Sequence, residues 1–157
     1  MAVFESDLIP GSKPAVTCSE AGCVVAVKGK ADVPNSLAAN DLIKLAKLPA
    51  GYLVGDVKVR ASDLDTNVSP TITITVGILN STGDDLDSGS EFIIASTVAQ
   101  AGGQVSMDKA SVACDTPYTT DKIIAAKVVN ALASTGLPPQ RLEIEVTESV
   151  FLRDGGG

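Results

Sequence analysis

Thr71-Ile72-Thr73-Ile74-Thr75-Val76-Gly77-Ile78-Leu79 is the stretch that decides the fold. Ile72, Ile74 and Val76 alternate with Thr71, Thr73 and Thr75, so a period of two puts the aliphatic residues on one face and the threonines on the other. Both sets are β-branched and fit a pleated surface, which predicts a half-buried strand. The polar, turn-rich run Asn80–Gly89 ends it.

Working outward, the same grammar recurs. Upstream, Val57 and Val59 alternate with Asp56, Lys58 and Arg60, predicting a strand over Tyr52–Arg60. Asp41–Leu48 fits a helix or a strand by pattern, with Leu42, Ile43, Leu45 and Ala46 compatible with a helical face. Pro49 closes it and strands flank it, so a strand is chosen. Cys23–Lys28 reads as a strand ended by Gly29. Downstream, Glu91–Gln100 is predicted as one short helix stopped by Gly102-Gly103. Val105–Met107, Lys122–Val129 and Arg141–Leu152 are predicted strands, the last with Leu142, Ile144 and Val146 alternating with Glu143, Glu145 and Thr147. Many short strands with one small helix predict an all-β, sandwich or jelly-roll-like domain.

The first residues look different. Leu8-Ile9-Pro10-Gly11-Ser12-Lys13-Pro14 cannot be a helix interior, and residues 1–14 read as an extended N-terminal arm. Residues 15–152 then form the single β-sandwich domain and 153–157 a Gly-rich tail. Val3, Phe4, Leu8 and Ile9 are apolar yet outside any strand pattern. With Pro10 they are the candidate partner-binding residues, expected to be covered by a neighbouring subunit.

Composition limits the chemistry. The chain of 157 residues is 45% hydrophobic but only 3% aromatic, with no Trp, so Val, Ile, Leu and Ala must fill its core. It contains no His, which removes the usual general base near neutral pH and the commonest transition-metal ligand. No catalytic residues, metal site or cofactor are therefore assigned, and no enzyme activity is expected. The net charge of −7 and the lack of a basic patch argue against nucleic acid as a partner. No apolar run is long enough to span a bilayer, and the first residues lack the pattern of a secretory signal, so neither membrane nor export is expected. Cys18, Cys23 and Cys114 are odd in number and read as reduced thiols of a protein made in the cytoplasm; a Cys18–Cys23 bridge stays open. Asp63, Asp65, Asp84, Asp85 and Asp87 could gather around calcium, but they lack EF-hand spacing and are better read as solvated loop residues. The threonine ladder could face ice or sugar; a solvent- or subunit-facing strand side explains it with less.

Residues 40–103 resemble the central segment of the head decoration (capsid cement) proteins of tailed bacteriophages. The resemblance rests on the order of Leu48-Pro49-Ala50-Gly51, Asp63-Leu64-Asp65, Ser69-Pro70, the Thr-Ile strand, an acidic loop and Ser96-Thr97-Val98-Ala99-Gln100-Ala101-Gly102-Gly103, continued by Lys122–Val129. It implies a structural virion protein made in the host cytoplasm. Such a protein sits on the outer capsid surface as a trimer or other small homo-oligomer and stabilises the major capsid protein lattice. The alternative from another class is a small ligand- or carbohydrate-binding β-domain on a virion or cell surface. Such modules generally stack sugars on exposed Trp or Tyr, and this chain has only Tyr52 and Tyr118, with no Trp.

A second, shorter resemblance lies near the end. Residues 136–154 are similar to an internal piece of EAL-type cyclic-dinucleotide phosphodiesterases, in which a metal-ligating Glu would fall on Glu148. Catalysis in that family needs carboxylates gathered from a whole barrel, and the Glu-Ala-Leu and Asp-Asp-Phe-Gly motifs are missing here. A borrowed or convergent strand is the expectation.

Overall fold

A computed structural model describes residues 1–10, 24–34, 37–65, 68–108, 111–130 and 140–149. On the last strand, side chains are described at Glu143, Glu145 and Val146. In chain order the described elements are β1 (Val3–Glu5), β2 (Val24–Val33), β3 (Leu42–Leu48), β4 (Leu53–Ala61), β5 (Ile74–Leu79), β6 (Leu86–Ser96), β7 (Gly103–Ser106), α1 (Val112–Asp115), β8 (Lys122–Val128) and β9 (Gln140–Ser149). They form a five-stranded sheet ordered β1-β3-β8-β5-β6 and a four-stranded sheet ordered β2-β9-β4-β7. The fold is thus an all-β sandwich, with one short helix among the described residues. None of its described helices is long and apolar enough to cross a membrane.

The core between the sheets follows the alternation. Ile72, Ile74, Val76 and Ile78 from the Thr-Ile stretch are fully buried, as are Val57 and Val59 of β4 and Ile43 and Leu45 of β3. Ile124, Ala126 and Val128 of β8, with Val146 of β9, complete one contiguous cluster from both sheets. The regular strand of the Thr-Ile stretch begins at Ile74. Before it, the Thr71 and Ile72 amides donate to the buried Asp65 carboxylate at 2.7 and 3.0 Å, which fixes how the chain enters β5.

Three sequence expectations are corrected. Glu91–Gln100 is not a helix, because residues 86–96 form β6, antiparallel to β5. Gly77 allows this pairing: a Cβ there would lie 3.1 Å from the Glu91 Cα and 3.2 Å from the Ser90 carbonyl oxygen. The β5–β6 register shifts at three places, so Phe92 and Ile93 are both buried and no period of two survives in the sequence. An available strand edge outweighs a local helical preference in such a short apolar run. Among the described residues the single helical turn is instead Val112–Asp115, capped by Ser111, whose hydroxyl accepts from the Ala113 amide. Gly102 and Gly103 lead into β7 rather than stopping a helix.

Gly29 does not end β2, which runs on to Val33. A Cβ on Gly29 would sit 2.6 Å from the Leu8 Cδ1 and 2.9 Å from the Leu45 carbonyl oxygen, so this glycine admits a crossing segment instead.

That segment is the third correction. Val3–Glu5 is a strand, β1, parallel to β3 at the edge of the larger sheet. Ile9 is buried, and Phe4 and Leu8 are half-buried against the main core, so the apolar residues of the arm are not left outside the fold. The chain then steps from one sheet to the other. The Ser6 amide donates to the Lys44 carbonyl at 2.8 Å and its hydroxyl donates to the Leu45 carbonyl, both on β3. The Asp7 amide donates to the Lys30 carbonyl at 3.0 Å, and the Lys30 amide donates to the Asp7 carboxylate at 2.8 Å, both at the outer edge of β2. Residues 6–8 thereby close one open side of the sandwich. Met107 and Asp108 close the other, their amides donating to Val57 of β4 and Phe92 of β6.

Candidate functional site

The candidate partner-binding residues fall into two groups. Val3, 42% exposed, and Pro10 face outward at the two ends of the N-terminal segment. Phe4 and Leu8 pack against the main core and hold that segment on the body, and Ile9 is buried. The signal that could have found this arrangement is Gly29, since an isolated glycine inside a strand pattern marks a close approach by another part of the chain.

The two outer sheet faces differ in chemistry. On the four-stranded sheet, Lys28 of β2 stands opposite Glu145 of β9, which stands opposite Lys58 of β4. Lys30, Glu143 and Arg60 repeat the order one row along. Two rows of cation, anion and cation therefore cross this face. Lys28 lies 3.6 Å from Glu143 and Lys58 3.6 Å from Asp56, solvated pairs of the kind that add little stability. On the five-stranded sheet, Leu42, Leu79 and Ala125 form a small outer apolar cluster packed against Leu86 and Ile123. The loop leading to Leu86 folds onto this face, where the Asp85 carboxylate pairs with Lys127 at 2.7 Å. A shallow cleft of about 340 Å³ beside that pair is lined by Asn40, Thr75, Glu91 and Val129 among others.

The loop aspartates serve the loops themselves. Asp84 accepts hydrogen bonds from the Thr82 hydroxyl and from Asn80 Nδ2 at 2.8 Å, and these bonds hold its carboxyl below the usual range. Asp85 is also lowered, chiefly by its hydrogen bond from Lys127. The Asn80 side-chain oxygen accepts from the Gly83 and Asp84 amides at 2.8 and 3.2 Å, fixing the turn. Asp63 accepts from the Asp65 amide at 3.1 Å, and Asp65 receives the β5 entry described above. Among the described residues, no three His, Cys, Asp or Glu side chains gather in a way that could hold a metal ion.

The remaining sequence candidates are dispersed. Thr75 of the ladder accepts from the Ala95 amide at 3.0 Å and Thr73 accepts from Asn130 Nδ2 at 3.3 Å. Tyr52 and Tyr118 are partly buried against the core. Burial raises the Tyr118 hydroxyl above its ordinary pKa and does the same to the free Cys114 thiol. Cys18 and Cys23 lie outside the described residues. Of the segment 136–154, residues 140–149 form β9, paired on both sides within the smaller sheet. Glu148 stands at a strand position opposite Val25 and Val54. Its side chain and the rest of that segment lie outside the described residues, as does the tail 153–157.

No protein-family model matches the chain, and no curated protein does. Solved structures do. A chain in the capsid of Ralstonia phage GP4 is similar with a TM-score of 0.75 and 28% identity, over 94% of this chain and 97% of that one. A chain in the capsid asymmetric unit of cyanophage Pam1 is similar with a TM-score of 0.62 and 26% identity, over 88% of this chain and 99% of that one. Both likenesses run nearly end to end in chains of comparable length. The protein is phage capsid-related, with a structural place in the virion.

Proposed function

We propose that the chain is a decoration protein: it binds the outside of a phage capsid and reinforces the lattice of the major capsid protein. The observation that carries this reading is the end-to-end likeness to a capsid chain of the same size at 28% identity. A domain matched over 97% of its counterpart is matched as a whole unit, not as a shared subdomain. The architecture supports an add-on role. Both open sides of the sandwich are closed by the chain's own residues, so the domain can fold before it meets a shell. The acidic net charge of −7 suits a particle surface and discourages contact with the packaged nucleic acid.

In this reading the protein is made in the host cytoplasm and joins the particle as a trimer or other small homo-oligomer. It carries no catalytic function. Val3 and Pro10 touch the neighbour, while Phe4, Leu8 and Ile9 keep their segment in place.

The test is binding to particles that lack the protein. Purified protein is mixed with capsids from a phage deleted for its gene, and co-sedimentation and resistance to heat are measured. Saturable binding with a raised rupture temperature is expected. Val3→Asp should weaken binding and leave thermal unfolding of the free protein nearly unchanged, because the side chain is already exposed. Failure of the unaltered protein to bind would refute the reading.

A further inference from the structure

The outer face of the four-stranded sheet carries its charges in columns. Val57, Val59 and Val146 are buried, so Lys58, Arg60 and Glu145 stand on the opposite face of the same strands. Lys28 and Lys30 on β2 form a cationic column, Glu143 and Glu145 on β9 an anionic one, and Lys58 and Arg60 on β4 a second cationic one. The fourth column, on β7, is exposed and uncharged, with Ser106 opposite Lys58 and Gln104 opposite Arg60. Among the described residues, Lys30, Arg60 and Glu145 enter no ion pair, and Lys28 and Lys58 hold theirs only at 3.6 Å. The outer face of the five-stranded sheet differs, since the chain's own loop lies on it through Asp85 and Leu86.

We infer that this face is the contact between two copies of the chain, paired about a two-fold axis. The order of the columns selects the axis. An axis parallel to the strands, over the seam between β9 and β4, lays β9 on the second copy's β4 and β2 on its β7. Rotation about such an axis keeps strand direction, so each row meets the same row of the other copy. Glu145 then faces the second copy's Lys58 and Glu143 its Arg60, and the symmetry makes each pair twice. Lys28 faces the uncharged Ser106, and Lys30 the uncharged Gln104. No like charges are directly opposed. An axis over β9 would set glutamate on glutamate, and one over β4 would set lysine on lysine. An axis over the seam between β2 and β9 matches charges but leaves β4 and β7 beyond the sheet edge. Strands lie about 4.8 Å apart, so the matched face is about 19 Å wide. That size and polarity suit a reversible, salt-sensitive pair rather than an obligate one. The pair does not rest on the decoration reading, because it forms in the free protein.

The test is sedimentation of the free protein across a dilution series, with two charge reversals. The unaltered chain should form dimers that dissociate as ionic strength rises. Lys58→Glu opposes carboxylates at both repeats of the contact, and Glu145→Lys opposes ammonium groups there. Each should weaken the dimer roughly tenfold or more. Mixed in equal amounts, the two variants should pair with each other at about the unaltered affinity, because every reversed group then faces its opposite. Should either variant fail to fold, Arg60→Glu mixed with Glu143→Arg puts the same question to the next row. A chain that stays monomeric at every concentration in low salt would overturn the inference. So would a dimer indifferent to the reversals, or reversed variants that do not rescue each other. A monomeric chain whose variants lose capsid binding would overturn it too, and would give the face to the shell.

Discussion

The N-terminal ten residues and the strand Ile74–Leu79 serve the same core by opposite means. β5 lies inside its sheet between β6 and β8. Its position follows mainly from the alternation that buries Ile74, Val76 and Ile78, with Asp65 at its entry and Gly77 at its pairing with β6 as the added groups. The N-terminal segment holds a three-residue edge strand, too short to be stable by pairing alone. It is fastened by single side chains: Asp41 on Ala2, Ser6 on Leu45, Asp7 on Lys30, and Leu8 in the space above Gly29. The comparison teaches that one fold can combine a region set by periodicity with a region set by discrete contacts. The second kind should open first.

Substitutions can break this contrast, and the largest effect belongs to β5. Ile74→Asp should prevent folding, because it buries a carboxylate with no partner. Ile74→Ala should cost on the order of 2–5 kcal/mol in denaturant unfolding, whereas Thr73→Ala, on the opposite face, should cost less than about 1 kcal/mol. A Thr73→Ala loss larger than that of Ile74→Ala would reverse the assignment of faces.

Gly29→Ala comes next, at about 1–3 kcal/mol, since the new methyl meets the Leu45 backbone as well as the movable Leu8. Its signature should be regional. Amide exchange should quicken across residues 2–9 and at Lys30 while Ile74–Leu79 keeps its protection. Uniform loss of protection would mean that the N-terminal segment and the core open as one unit.

How much of this was legible follows the same division. The alternation in Tyr52–Arg60 and Thr71–Leu79 shows in the sequence because one face of each strand meets the core. Asp41–Leu48 needed Pro49 and its neighbours to settle it as a strand. β6 was hidden because its bulges bury Phe92 and Ile93 side by side, which destroys the period of two and resembles a helical run. α1 is a single turn, too short for any period to appear. β1 was hidden for a different reason. Three residues carry no pattern, and what holds them depends on Asp41 and Gly29, which are far away in the chain. The apolar character of Val3, Phe4, Leu8 and Ile9 was visible, but whether their cover is internal or external could not be read from composition.

The smallest expected effect sharpens the comparison from the other side. Asp7→Ala removes one hydrogen bond to Lys30 at a partly solvated edge, so a loss of about 0.5–1.5 kcal/mol is expected in denaturant unfolding. Asp7→Asn, which keeps an acceptor for the Lys30 amide, should recover most of it. No recovery would mean that the carboxylate charge, rather than the hydrogen bond, fastens the edge.

Whether this sandwich is an addition to a capsid or the lattice itself is decided by cryo-electron microscopy of particles with and without its gene. A decoration protein leaves closed shells in both samples, with sandwich-shaped density over the outer lattice only where the gene is present. Absence of closed shells in the deleted sample would contradict that role, because the chain would then be building the lattice. Persistence of the outer density after deletion would contradict it equally.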